Sequence, residues 1–537
     1  MSREGVQQGD VLGSLFFSLA IQDMVNDCKS SFNSWYLDDG ILASEPHTVK
    51  EDYVKLVDSA ASLGLRVKPE KCQITILNPR NQSVIRSLLD IEPLFKVIDV
   101  AALDLLGAPL LPPAVGPIFQ KKLDDLQRLI ENMKLLDHHE SFFLLKNCFS
   151  IPRVMYLLRC APCFMCPNIL DKFDLKLREG LQAILNVTLD DRAWNVAALP
   201  VKYGGLGIRK TRDLAVPTFL SSAFGSNAVA GTLLPESIVE KDYAFYAMAA
   251  DEWMKSLDLA EDNSKLPLDK SIQELWDAPM CKRKFDALMD SGNSEEKAIL
   301  LSTSSEDSSP WVHAAPISSL GLKLEDTCFK IVCGLRIGAK ICVPYKCICG
   351  TKVDSFGRHG LHCKKALGRY SRHSEANMIL KKALASIDMP STLEPPGLSR
   401  SDGKRPDGLS HFTWREGKYL VWDFTTSCTV APSNISTSLK GPGKTAESRE
   451  NFKCDKYSAL GDSYHFVPIS METFGAQGPQ TRRFMKELGK ELIEYTGEKR
   501  ARFFLQQAIG ICIQKGNSSS ILGSIPKGKK LDEIFHL

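Results

Sequence analysis

The sequence predicts an α+β multidomain protein, and three observations carry that prediction. Near the N-terminal end, "SFNSWYLDDGILAS" (31–44) reads as a β-hairpin between two stretches of helical periodicity. Long amphipathic helical patterns fill the middle of the chain. Toward the C-terminal end an unbroken apolar strand, "KYLVWDFTT" (418–426), precedes a polar helical stretch.

A chain of 537 residues, 44% apolar and 24% charged, is long enough for three or four domains. Its 67 Lys+Arg against 64 Asp+Glu leave +3, too little for a strong overall field. No run of 18 apolar residues suggests a membrane span, and "MSREGVQQGD" lacks the layout of a signal peptide. A nuclear or cytoplasmic protein, neither membrane-bound nor secreted, is the expectation. In that setting sixteen cysteines read as reduced core residues or metal ligands.

Residues 11–27 place Leu12, Leu15, Phe16, Leu19 and Ala20 at helical spacing, after a "QQGD" lead-in whose Gly9 permits close backbone approach. In the hairpin, Asp39-Gly40 is the expected two-residue turn, with Asp38 and Asp39 at the tip. Thr48 and Glu51 suggest a capping box for a helix bearing Val49, Tyr53, Leu56, Ala60 and Leu63, which Gly64 ends. "KCQITIL" (71–77) alternates as a strand.

Further on, residues 118–136 set Leu123, Leu126, Ile130 and Met133 on one helical face. "SFFLLKNCFSIPRVMYLLRCAPC" continues in helix with a break at Pro152, and "LPVKYGGLGIRK" (199–210) reads as a glycine turn without the Walker lysine-serine. Residues 216–335 are helical with serine- and acid-rich gaps such as "DSGNSEEK" and "STSSEDSSP", a linker and scaffold.

Cys347, Cys349, His359 and Cys363 form a C-x-C-x9-H-x3-C array, enough soft ligand for one tetrahedral Zn²⁺, with Cys342, His362 and His373 as substitutes. "GRYSRH" follows, and its Arg369, Arg372 and His373 suit phosphate contact. Asp407, in "GKRPDG", and Asp423, at the end of the apolar strand, are spaced for a hairpin that brings both acids to one Mg²⁺. Burying Asp423 unpaired would cost several kcal/mol. The helix "AESRENFKCDKY" can direct Lys453, Lys456 and Glu447 at the same place. Residues 480–513 read as two helices of mixed charge, solvated rather than a DNA groove.

"EGVQQGD", "YLDD" and "LGL…KPEKC", in this order, resemble the later palm motifs of reverse transcriptases, specifically those of non-LTR retrotransposons. The resemblance implies that Asp38 and Asp39 serve a two-metal Mg²⁺ site that activates a primer 3′-hydroxyl, that Gln8 and Gly9 line the nucleotide and template pocket, and that Lys71 stands near the triphosphate. The Cys/His array looks like the CCHC knuckle of the site-specific elements. The "RPD", later acid and K-x-x-K-Y helix resemble their PD-(D/E)xK restriction-enzyme-like endonuclease, with Thr425 where simpler members have lysine, so that Lys453 or Lys456 takes its place.

The fold so implied has a partial palm over 1–80, thumb and connecting helices over 81–215, the helical linker over 216–335, a zinc knuckle over 336–375 and an α/β endonuclease over 376–537. Element RNA and target DNA are the implied partners, and target-primed reverse transcription the implied process. The polymerase acid that the family carries upstream of "QGD" has no counterpart here, so an N-terminally truncated protein without polymerisation is expected. The alternative is a remnant or co-opted protein that binds nucleic acid without catalysis.

Overall fold

The structure, a computed structural model, describes residues 5, 7, 9–78, 89–90, 92–233, 244–259, 266–366, 368–398, 405–460 and 463–526. The chain divides into two compact units, Met1–Ile118 and Phe119–Leu537.

In the first unit, α1 (Gly13–Asn26) is followed by an antiparallel hairpin of β1 (Phe32–Tyr36) and β2 (Asp39–Ala43), then by α2 (Pro46–Ser62). Its core joins Ile21, Met24, Leu56 and Ala60, with Phe17, Trp35 and Leu42 against them. This departs from the expected helix face: Leu12, Leu15, Phe16 and Leu19 lie about half exposed, because the row that meets α2 and Trp35 is Phe17, Ile21, Met24. The loop between α1 and β1 is clamped by Asp52 of α2, only 1% exposed, which accepts from the Lys29 and Ser30 amides and the Ser30 hydroxyl. Burial would raise the Asp52 pKa, but these donors outweigh it and hold the carboxyl below its ordinary range.

The predicted capping box of α2 is absent. Glu45 precedes the helix and Pro46 opens it, since proline presets the first helical φ and lacks the amide that a cap would satisfy. Gly64, at φ +75°, ends it as expected. The strand expected over 71–77 shrinks to β3 (Gln73–Ile74), paired in parallel with β4 (Lys96–Val97), and a short antiparallel pair, β5 (Asp104–Leu105) and β6 (Ala108–Pro109), follows.

The second unit opens with helices. α3 (Pro112–Met133) runs across the division and buries Leu126, Ile130 and Met133 as predicted. It is followed by α4 (His138–Leu144), α5 (Met155–Cys160), α6 (Pro167–Leu185), α7 (Asp191–Ala198), α8 (Thr211–Leu233), α9 (Ala244–Ser256), α10 (Gln273–Ser291), α11 (Ser294–Thr303) and α12 (Asp326–Ile337). The stretch expected to link and scaffold is packed core instead: Trp253, Trp276 and Trp311 are each at most 2% exposed. Its polar gaps have structural work. Asn293 and Glu296 form a capping box for α11, and Arg336, fully buried, donates to the carbonyls of Gly205, Ser308, Val201 and Thr303. The "GGLGI" turn is thereby fastened to the serine-rich segment. A Cβ at Gly205 would meet the Leu199 carbonyl oxygen at 2.1 Å, which explains a glycine there.

Beyond α12 a small hairpin of β7 (Tyr345–Lys346) and β8 (Lys352–Val353) leads to α13 (Gly368–Ala385). A four-stranded sheet follows, built from β9 (Ser391–Leu393), β10 (Gly408–Arg415), β11 (Lys418–Ser427) and β12 (Tyr464–Glu472) in the order β12-β11-β10-β9. β9, β10 and β11 are antiparallel neighbours, whereas β12 lies parallel to β11 after a crossover through α14 (Ile435–Ser438) and α15 (Lys444–Lys456). α16 (Pro479–Thr496) and α17 (Ala501–Leu522) complete the unit.

Leu420, Trp422 and Phe424 of β11 form a core with α13, α16 and α17. Because strand side chains alternate, Val421 and Asp423 face the opposite side, where α15 packs. Both faces are covered, so Leu420, Val421, Trp422 and Phe424 run apolar around Asp423. Asp423 stands mid-strand rather than at its end. Arg372, expected at phosphate, is 4% exposed and donates to Asn517 at 2.7 Å. In the predicted mixed-charge tail, Arg482 pairs with Asp307 at 2.6 Å and Arg500 with Glu498 at 3.1 Å.

Candidate active site and metal centre

The sheet brings Asp407 and Asp423 together. Asp407 immediately precedes β10; its amide donates to the Trp422 carbonyl at 2.9 Å, and its Oδ2 accepts from the Phe424 amide at 2.6 Å. Its carboxylate therefore lies against the backbone on either side of Asp423. Asp423 is 3% exposed and would be untenable as a lone charge. Lys453 of α15 donates to its Oδ1, and Lys456 Nζ stands 3.7 Å from its Oδ2. Both lysines reach it because they sit three apart on one helix face.

α15 is held at two points by buried acids. Glu472, at the end of β12, accepts from the Thr445 amide at 3.1 Å in the first turn, and Glu450 accepts from the Gln480 and Thr481 amides at the start of α16. Burial raises the pKa of both acids, against the pull of these donors. Lys456 also donates to the Tyr457 hydroxyl at 2.9 Å, which donates to the Arg405 carbonyl at 3.1 Å, two residues before Asp407. Glu447, expected at the acids, pairs with Lys444 at 2.7 Å instead.

One residue of this site escaped sequence reasoning in that role. His373 of α13 lies with Nε2 3.1 Å from Asp407 Oδ1. The hydrogen bond to Asp407 raises its pKa above the ordinary histidine value, against burial, with the charges of Asp407 and Asp423 adding to the rise. In the sequence it reads only as a spare zinc ligand or phosphate contact, because its distance from Asp407 carries no periodic signal.

The metal-ligand array closes as expected. Cys347 and Cys349 lie in the turn after β7, made tight by Gly350 at φ +95°, while His359 and Cys363 come from the short helix Arg358–Leu361 and the residues after it. Cys347 Sγ is 3.5 Å from Cys363 Sγ, and Cys349 Sγ is 3.2 Å from His359 Nε2. All four ligand atoms lie within 4.8 Å of one another. A tetrahedral zinc with ordinary bond lengths requires edges of roughly 3.5–3.8 Å, so the donor set fits. Contacts with Thr351, Cys347 and His359 lower the Cys349 thiol to about 6, whereas burial raises that of Cys347. The substitutes stand outside the cluster: Cys342 donates to the Asp354 carbonyl at 3.4 Å, His373 serves Asp407, and His362 packs its ring on His359.

In the first unit the turn differs from expectation. Tyr36 pairs with Asp39, so the two loop residues are Leu37, at φ +55°, and Asp38. Gly40 is a strand residue whose added Cβ would meet the Trp35 ring at 2.7 Å. Asp38 and Asp39 are exposed at the tip; Lys71 is exposed in the short helix Pro69–Lys71, Gly9 takes φ +91° in a turn, and Gln8 lies outside the described residues. Among the described residues only the Cys/His set gathers three or more metal-ligating side chains. Nor is any described helix long and apolar enough to cross a membrane.

Residues 1–109 match the sequence family described as reverse transcriptase (RNA-dependent DNA polymerase). Over 504 residues, 91% of its length, the chain is 21% identical to the retrotransposable element SLACS 132 kDa protein of Trypanosoma brucei gambiense, and it spans 37% of that relative. The chain is thus similar to reverse transcriptases at its N-terminal end and, along most of its length, to a retrotransposable-element protein.

Proposed function

We propose that this chain is part of a site-specific non-LTR retrotransposon protein: a partial reverse-transcriptase palm, helical thumb and connecting region, zinc knuckle and PD-(D/E)xK-like endonuclease, which nicks target DNA so that the freed 3′-hydroxyl primes copying of element RNA. The observation that carries it is the buried Asp423 met by Lys453 and Lys456, with Asp407 bonded to the neighbouring backbone.

Two carboxylates suit Mg²⁺, a hard cation usually bound through one or two acids. Asp407 and Asp423 would hold it, and when bound it supplies polarisation of the scissile phosphate. Lys453 orients the attacking water and stabilises charge on the phosphate, while Lys456, steadied by Tyr457, balances Asp423. The zinc knuckle, Cys347, Cys349, His359 and Cys363, supports the nucleic-acid-binding surface. In the palm, Asp38 and Asp39 would hold Mg²⁺, and the family likeness gives Gln8, Gly9 and Lys71 to nucleotide and template. Without a third acid gathered there among the described residues this is half of a two-metal site, so polymerisation by this chain alone is not expected. That same observation favours a second reading for the first unit, nucleic-acid binding without catalysis.

The test is the chemistry of the cut ends. Labelled duplex incubated with the full chain and Mg²⁺ is expected to gain nicks whose 3′ ends an added polymerase extends. Nicks with blocked 3′ ends, or cutting that survives Asp407→Asn and Asp423→Asn, would refute the proposal.

A further inference from the structure

We infer that His373 is a positioning residue for the cation site of the acid pair: it fixes the Asp407 carboxylate from the sheet face opposite to Lys453. The inference rests on the proposal that Asp407 and Asp423 hold a divalent cation.

The geometry starts from the strand alternation. Asp423 points to the α15 side, and both lysines approach from there. α13 belongs to the other side, where its Ala376, Leu380 and Leu384 share the core with Trp422 and Phe424. His373 rises from α13 to Asp407 at 3.1 Å, its ring 6.0 Å from that of Phe424. Asp407 thus receives a donor on each oxygen, His373 at Oδ1 and the Phe424 amide at Oδ2. Two donors from different directions set the plane of a carboxylate that one alone would leave free to rotate, and each oxygen keeps a lone pair for a cation.

Behind His373 stands Asn377, 5% exposed, which accepts from the Trp422 indole N–H at 2.9 Å and brings its own amide nitrogen to 3.5 Å from His373 Nε2. With Nε2–H given to Asp407 this is a packing contact, which seats the imidazole beside a side chain anchored in the core. It is not itself a core residue: its side chain is 44% exposed, so an exposed histidine–carboxylate pair contributes little to stability. Its effect should appear in cation affinity, as for outer groups that orient ligating side chains.

Mn²⁺ binding to the full chain, followed by the electron paramagnetic resonance of the free ion, tests this without reference to cutting. Wild type is expected to bind Mn²⁺ at a site that Asp423→Asn removes. His373→Ala should weaken that site about tenfold with no change in melting temperature. His373→Gln, which returns a donor nitrogen at the reach of Nε2, should recover most of the affinity. Unchanged affinity in His373→Ala overturns the inference, and so does a Gln variant as weak as Ala. A wild type without the Asp423-dependent site overturns it together with the cation-site reading. Binding as expected with no nicking overturns the nuclease proposal alone and leaves this inference standing.

Discussion

A carboxylate as deeply buried as that of Asp423 is costly without opposite charge beside it, and α15 supplies that twice. Replacing Lys453 by Met leaves the acid with Lys456 alone at 3.7 Å, and stability should fall by about 3 kcal/mol in chemical denaturation. Adding Asp423→Leu should recover much of that loss, since an apolar pair of similar volume replaces a buried ion pair, while cation binding is lost with the acid. A double variant no more stable than Lys453→Met would show that the pair is not the source of the cost. At this scale the sequence was informative where a residue broke a pattern: an acid inside an apolar strand is conspicuous. Lys453 was legible only as one of two lysines. His373 was not legible as a partner of Asp407, because thirty-four residues separate them and only the packing of α13 against the sheet joins them.

The Cys/His cluster was readable in advance as a set of neighbours, since four soft side chains at short spacing constrain one another. Cys347 and Cys363 also belong to a core with Ile341, Val353, Leu361 and Ile521, which ties ligand loss to packing. Purified chain is expected to carry one zinc, and Cys363→Ser to lose it and melt several degrees lower. Metal analysis finding no zinc in wild type would contradict this. The hairpin of the first unit was readable as an element but not in register. Asp39-Gly40 is the stronger turn signal, yet Gly40 is needed opposite Trp35, whose ring leaves no room for a Cβ, so the loop falls on Leu37-Asp38. The buried face of α1 differs from expectation for a similar reason: periodicity marks apolar rows without saying which row meets α2.

Across the whole molecule, the largest difference from expectation lies in residues 216–335, where serine and acid content suggested a linker and the chain instead buries three tryptophans and fastens its polar gaps to Arg336. Composition could not reveal that those polar groups find partners far away in sequence. The helical part of the second unit also sets a pH response. His139 of α4 is 2% exposed, accepts from the Leu324 amide at 3.2 Å and stacks on Phe329, and burial lowers its pKa from 6.5 to about 4. As pH falls below 6.5 the unfolded chain takes up the proton first, so stability should decline by up to about 3 kcal/mol between pH 6.5 and 4 and hold above that window. Thermal melting across this range checks it, with His139→Phe expected to flatten the slope.

Whether the acid pair with its lysines cuts DNA is read from the rate at which the full chain relaxes supercoiled plasmid in Mg²⁺, beside Asp407→Asn and Asp423→Asn. Wild type is expected to nick, and each variant to lose at least about a hundredfold in rate, the scale of removing a group that stabilises the transition state. Folded wild type that leaves varied plasmids intact, or variants that nick as fast, would contradict it.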